Sequence, residues 1–492
     1  MVERLSALDA AFLELENDRQ HLHVGSLLVF EGPAPSFEEF RTHVRSRLAS
    51  IPRYRQRVQR MPLDLARPVW VDDPHLDLAD HLRHTAVPSP GTEKQLRVLF
   101  GRVLSQPLDL TRPLWELWLV EGLAGHRWAV MTKTHHAMVD GLAGSEVMEL
   151  LLDGGGADDG GGADDRGDGF AAPAEPIPWR PHAQPSRTAL ALAGVAGLVR
   201  LPLDATRWAT AAVAGLSSPA DLVSALAVRA NGLLTLGLSA AHPTHALNGP
   251  LGPHRRWGCA RAELADVKRV KNAAGCTVND VVLAAVAGGL RDHLTRRGED
   301  VDAVTIRSLV PVSVRTQSHT GRLGNEVTAV FAELPVGVAD ARERLAVVHR
   351  EMSRLKGSGE AVGVGSAISA ADLVPATLMS VGVQVYAATG QRVVNTVTTN
   401  IPGPPHPLHL LGRRMLELFP YIPVAESVRL SIGIVSYDGH VTVGATGDYD
   451  ALPDLDDLCT AIERSFTELV GTVAAPEVMA RGSHRGGDRS HR

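Results

Sequence analysis

Cysteine is scarce in this chain. Cys259, Cys276 and Cys459 are its three thiols. They are far apart and form no CxxC pair, which excludes a zinc ribbon or a disulfide-stapled fold and suits a reducing compartment. Aromatic side chains make up 4%, too few for the stacking platforms that hold single-stranded nucleic acid. Neither sign of charge dominates: the formal net charge is -6, so there is no global basic footprint and nucleic acid is not an expected partner. Long apolar runs are missing too. The run Thr188 to Val199, TALALAGVAGLV, has twelve residues, short of the roughly 20 that a helix needs to cross a bilayer. The opening MVERLSALDAAFLELEND has no basic segment followed by an apolar core, so it does not read as a signal peptide. Neither GxSxG, a Walker A loop nor GxGxxG occurs, which removes the serine-hydrolase elbow, the P-loop and the dinucleotide fingerprint.

What remains is an ordinary globular composition, 44% hydrophobic and 21% charged over 492 residues, enough for two or three domains. The clearest boundary is Asp153 to Gly169, with eight Gly and six Asp in 17 residues. Such a segment cannot bury apolar area and reads as a solvated linker, continued to 187 by a proline-rich stretch. Residues 188–245 are Ala- and Leu-rich and read as a helical crossover. On either side, strand patterns alternate with helix patterns, giving one α/β half over 1–152 and a second over 246–478. Examples are strands at 21–30 and 304–314, helices at 37–48 and 279–294, and a hairpin within 426–448 turning at Tyr437-Asp438-Gly439. The tail from 479 is polar and expected to be disordered.

The chemistry concentrates in RWAVMTKTHHAMVDGLAGSEVMELLL, 127–152. A strand-like segment leads into HHAMVDG, and a helix-like segment follows it. Loops on a rigid scaffold are where function collects. A neutral imidazole is the side chain best suited to proton abstraction near pH 7. His136 is therefore the candidate general base for an attacking hydroxyl, with no covalent enzyme intermediate required. Asp140, four residues on, could fix the turn through a distant arginine or orient the imidazole, and Gly141 permits a sharp entry into the helix. A metal site on His135, His136 and Asp140 is the sharper rival. Adjacent strand residues point to opposite faces, which makes joint ligation awkward, and no metal is expected.

Around this motif an ordered set of others resembles the bacterial wax ester synthase/diacylglycerol acyltransferase family, within the chloramphenicol acetyltransferase-like superfamily of CoA-dependent enzymes. The set comprises LSALDAAFL at 5–13, PRYRQRV at 52–58, Pro113-Leu114-Trp115, Leu247-Asn248-Gly249-Pro250, Asn279-Asp280, Leu323-Gly324-Asn325 and Asn400-Ile401-Pro402-Gly403-Pro404. The resemblance spans about residues 4 to 475. It implies two chloramphenicol acetyltransferase-like α/β sandwich domains with an active-site tunnel between them. His136 matches the family's catalytic histidine, Asp140 its structural aspartate, and His135 the more replaceable partner.

Fatty acyl transfer from CoA to diacylglycerol, giving triacylglycerol, is the activity this implies, with long-chain alcohols as further acceptors. Acyl-CoA is then a co-substrate, and no permanently bound cofactor is expected. Trp115, Asn279, Asp280 and Asn400 are candidates for substrate contact. Their plainer readings are core packing for Trp115 and helix capping for Asn279 or Asp280. Arg255, Arg256, Lys268 and Lys271 are candidates for the CoA phosphates, against the plainer reading of a solvated helix face for the two lysines. An apolar acceptor implies a cytoplasmic protein held peripherally at the inner membrane face or at lipid droplets, the crossover being the candidate contact. A sugar or polyketide alcohol as acceptor, or a non-catalytic lipid-binding protein of the same fold, are the rival readings. Oligomeric state has no sequence signal.

Overall fold

The computed structural model describes residues 3–49, 51–62, 66–138, 151–153, 179–186, 188–190, 192, 244–302, 304–313, 327–357 and 394–473. The helical crossover beyond residue 192, the rest of the Gly/Asp linker, Leu323-Gly324-Asn325 and the tail lie outside these residues.

Along the first half run β1 (Glu3–Arg4), α1 (Ala7–Leu15), β2 (His23–Glu31), α2 (Phe37–Arg47), β3 (Gln56–Gln59), β4 (Val69–Asp72), β5 (Leu82–Ala86), α3 (Glu93–Leu104), β6 (Trp115–Leu123) and β7 (Arg127–His135). The helices start where local chemistry stops the strands. Ser6 caps α1, while Ser36 with Glu39 and Thr92 with Gln95 form capping boxes on α2 and α3, each satisfying backbone N–H groups that the first turn leaves free. The second half holds β8 (Arg255–Glu263), α4 (Leu264–Ala274), α5 (Val278–Arg296), β9 (Ile306–Ser313), β10 (Val327–Leu334), α6 (Ala341–Gly357), β11 (Thr396–Pro402), β12 (His409–Leu410), β13 (Arg413–Tyr421), β14 (Leu430–Tyr437), β15 (His440–Asp448) and α7 (Leu455–Gly471). The β14–β15 hairpin turns at Asp438 and Gly439, both at positive φ, the geometry that suits the strand twist in a two-residue loop.

Two mixed six-stranded sheets carry the fold, in the orders β12-β13-β2-β7-β6-β5 and β10-β9-β11-β14-β15-β8, beside a small sheet β1-β4-β3. The first large sheet is not made by the first half alone. β13 pairs antiparallel with β2, Leu418 opposite Leu28 and Tyr421 opposite Gly25. The halves drawn at 1–152 and 246–478 therefore interlock, because a strand from the second completes the sheet of the first. Asp153, read as the first linker residue, is also anchored: its carboxylate accepts from the backbone N–H groups of Leu411 and Gly412 at 3.1 and 2.8 Å.

The junction is packed. Phe100, Leu96 and Leu104 of α3 share one buried cluster with Trp257, Cys259, Phe419 and Tyr421. Across it Arg261 binds Glu417 at 2.5 Å and Glu93 at 3.0 Å, joining β8, β13 and α3. Gly444 of β15 lies so close under β13 that a β-carbon there would overlap the Pro420 carbonyl. That close approach is what a strand glycine supplies here.

Candidate active site

β7 is buried along its length and delivers His135 as its last residue. The chain then tightens into a 3-10 turn, His136–Met138, so the two imidazoles part company. The His136 N–H donates to the Leu22 carbonyl at 2.8 Å, and the Ala137 N–H donates to His135 Nδ1 at 3.0 Å. Since Nδ1 of His135 accepts, its proton must sit on Nε2. That nitrogen points to Glu16 Oε2 at 3.1 Å. His135 is thus fully buried with both ring nitrogens engaged, which leaves proton transfer to His136.

The His136 ring lies against Phe12 of α1, with centroids 4.1 Å apart and planes inclined at 34°. The residue as a whole is half-buried, while its Nδ1 is itself buried and has no hydrogen-bond partner among the described residues. Burial, first, and the neighbouring His135 push its pKa down to about 4, against a smaller opposing effect of its own backbone. At neutral pH the imidazole carries a free lone pair, the form a general base requires.

Behind the turn sits a polar cluster that sequence reasoning missed. Glu16, at the C-cap of α1, faces His135, His23 (Nε2 to Oε1 3.4 Å) and His21 (Nδ1 to Oε1 3.6 Å). Burial raises the Glu16 carboxyl, but the hydrogen bond from His135 and the close imidazoles of His21 and His23 outweigh it and hold it well below the usual carboxylate range. His23 stands opposite His135 in the β2–β7 register. Burial drives its pKa to about 3 despite the Glu16 carboxylate beside it. The signal was present in HLH at 21–23, since residues two apart on a strand share a face.

The remaining candidates divide. Asn400 of β11 and Asn279 at the start of α5 meet, Asn400 Nδ2 donating to Asn279 Oδ1 at 3.3 Å. Asp280 has another task. Thr277 is the N-cap of α5, and Asp280 closes the capping box by accepting from the Thr277 N–H at 2.9 Å. The same carboxylate oxygen takes His349 Nδ1 at 2.8 Å. Neither Asn279 nor Asp280 is the cap itself. Trp115 is fully buried, donates to the Tyr54 carbonyl at 2.8 Å and stacks on His81 at 4.5 Å. It belongs to the core, not to a substrate wall. Asp140 and Gly141 lie outside the described residues.

The four cations also separate. Arg255 is buried and donates to the carbonyls of Gly252, His254 and Arg19. Its guanidinium ties the second half to the loop between α1 and β2, and the residue also lines the cleft beside Arg256. Arg256 stacks on Tyr449, 4.0 Å from the ring centre, and lines a cleft of about 220 Å³ between α3 and β8 with Lys94, Arg97, Arg102 and His254. Lys268 and Lys271, on α4, are not among the residues lining that cleft.

Known proteins resemble this chain over most of its length. The sequence model described as the wax ester synthase/diacylglycerol acyltransferase catalytic domain matches residues 5–282, and the corresponding C-terminal domain matches 323–470. A probable diacylglycerol O-acyltransferase of Mycobacterium tuberculosis is 35% identical over 482 residues, covering 98% of each chain. A putative diacylglycerol O-acyltransferase of the same species is 32% identical over 95% of this chain and 90% of its own. Among solved structures, the wax ester synthase/diacylglycerol acyltransferase of Marinobacter aquaeolei VT8 superposes with a TM-score of 0.65 at 25% identity, covering 96% of this chain and all of that one. The trichothecene 15-O-acetyltransferase of Fusarium sporotrichioides, at 13% identity and a TM-score of 0.58 over 95% of both chains, shares the fold.

Proposed function

The chain belongs to the wax ester synthase/diacylglycerol acyltransferase family, and we propose from that footing that it moves a fatty acyl group from acyl-CoA to diacylglycerol and, secondarily, to long-chain alcohols. It is an O-acyltransferase. The observation that carries the mechanism is the place of His136, half-buried on a fixed turn at the end of β7, where burial holds its pKa down. The acceptor hydroxyl attacks the thioester carbonyl while His136 takes its proton. The tetrahedral species then expels the CoA thiolate, and His136 returns the proton to sulfur. One C–O bond forms, one C–S bond breaks, and no acyl-enzyme intervenes. A base placed in this way contributes about 10²–10⁴ in rate.

Asn279 and Asn400 are assigned to the substrate side, where an amide pair can hold a carbonyl or hydroxyl. The cleft of Lys94, Arg102 and Arg256 is assigned to the phosphates of acyl-CoA. Lys94, Arg102 and Arg256 line it beside Arg97, which pairs with Asp456, and an excess of cations around a small cavity suits a phosphate. We further propose, from an apolar acceptor and product, a cytoplasmic protein held at the inner membrane face or at lipid droplets. No single helix among the described residues is long and apolar enough to cross a membrane.

The test supplies palmitoyl-CoA with diolein, hexadecanol, a sugar or polyketide alcohol, or no acceptor, and separates the products. Triacylglycerol as the main product supports the assignment. Thiol release only with a sugar or polyketide alcohol would move the enzyme to another acceptor class. Vesicle flotation with and without diacylglycerol checks the membrane assignment, which protein left entirely in the dense fraction would refute.

A further inference from the structure

Three bonds fix the turn that presents His136, and two of them originate in α1. The first is backbone only, His136 N–H to the Leu22 carbonyl at 2.8 Å. The second runs through a side chain: Glu16 holds His135 at 3.1 Å, and His135 Nδ1 accepts the Ala137 N–H at 3.0 Å. The third is the face of Phe12 against the His136 ring, 4.1 Å between centroids. Phe12 and Glu16 are four residues apart at the end of one helix, so they present to the same side.

The second link acts on a specific piece of backbone. The Ala137 N–H belongs to the peptide that leaves His136, and anchoring it at His135 Nδ1 sets ψ of His136. His135 can accept there only while its proton stays on Nε2, and Nε2–H is the proton that Glu16 receives. A carboxylate in this place has no proton of its own to offer and selects that tautomer. The same carboxylate lies 3.6 Å from His21 Nδ1 and 3.4 Å from His23 Nε2.

We infer that Glu16 and Phe12 together form a clamp that positions His136: Glu16 fixes the His135 tautomer and through it the His136–Ala137 peptide, while Phe12 sets the imidazole plane. Neither touches substrate. They are positioning residues, and the N-terminal helix is a working part of the acyl-transfer site. This rests on the acyl-transfer reading above. Misplacing a reacting group by about 1 Å can cost around 10²-fold in rate, so the effect should fall on kcat and leave substrate binding alone.

The experiment measures kcat, KM for palmitoyl-CoA and thermal midpoint for the full chain and for Glu16→Ala, Glu16→Gln, Phe12→Leu and His136→Ala. Rates are counted per folded molecule by near-UV circular dichroism. Expected is a fall in kcat of about 30- to 100-fold for Glu16→Ala, with KM within about threefold. Glu16→Gln, whose amide oxygen can still accept from Nε2–H, should recover most of that loss. Phe12→Leu should lower kcat by about fivefold. On the His136→Ala background, Glu16→Ala should change the residual rate by less than twofold, because there is no longer a base to position. Glu16→Ala with wild-type kcat per folded molecule would overturn the inference, as would an equal loss on the His136→Ala background. If Glu16→Ala fails to fold, Phe12→Leu decides alone, and its wild-type kcat overturns the clamp. A wild-type protein inert toward palmitoyl-CoA with every acceptor would instead remove the acyl-transfer reading, a result distinct from an active wild type matched by its Glu16 variant.

Discussion

Acidification separates this active site from one built on an ordinary histidine. At pH 5.5 a free histidine is about one-tenth neutral, whereas one whose pKa lies at about 4 remains about 97% neutral. Even a pKa one unit higher would leave about three-quarters of the base available, some eightfold more than an unperturbed imidazole. The cause is burial of the ring, so the advantage belongs to the folded free enzyme and should appear in kcat/KM. The expected acid limb is flat from pH 7.5 to about 5.5 and turns down below. Stability moves against it. For His136 and His23 the folded pKa is depressed, to about 4 and about 3, so their contribution is whole above pH 6.5 and is lost as pH falls. Between those values the unfolded chain takes protons that the folded chain refuses. At pH 5.5 this costs about 1.5 kcal/mol for each of the two. The assay is therefore short thiol-release progress curves from pH 5.5 to 8, with urea midpoints in the same buffers. A kcat/KM limb with a midpoint near 6.5, unaccompanied by unfolding, would refute the reasoning that burial keeps His136 neutral.

Other consequences are local. Gly444→Ala should lower the thermal midpoint by several degrees or prevent folding, because its β-carbon would overlap the Pro420 carbonyl; unchanged melting would contradict the close packing of β13 on β15. Thr277→Ala should cost about 1 kcal/mol in urea unfolding through loss of the α5 cap, whereas Asn279→Ala should change kcat or KM and leave stability within about 0.5 kcal/mol. Paired reversal of charge, Lys94→Glu with Arg102→Glu, should raise KM for palmitoyl-CoA about tenfold, more at low salt than at high, since exposed charges are screened. An unchanged KM would move the CoA phosphates elsewhere.

Much of this architecture is legible in the sequence because its signals are local. Strand RWAVMTKT, the helix beginning near Asn279 and the turn at Asp438-Gly439 each follow from residue types within a few positions. HHAMVDG identifies itself by placing two histidines between a strand and a helix. What the sequence does not display is long-range. β13 joins β2 across nearly four hundred residues, and no periodicity in either strand names its partner. Nothing in the sequence singles out Glu16, yet it is the centre of a buried histidine cluster. The antiparallel pairing of β2 with β7 sets His23 opposite His135 beside it. Trp115 and Arg255 fail in the opposite sense. Their residue types suit a ligand site, but the fold spends their polar atoms on the carbonyls of Tyr54 and of Gly252, His254 and Arg19. Asp280 is similar, since a carboxylate three residues after a threonine is as good a capping partner as a substrate ligand.

The most direct test of the account is release of free CoA thiol from palmitoyl-CoA in the presence of diolein, comparing wild type with His136→Ala at pH 7.5. The account predicts diolein-dependent release that falls about 10²–10⁴-fold in the variant while its melting and palmitoyl-CoA binding persist. Equal diolein-dependent release by both proteins would remove His136 from the chemistry and contradict the account.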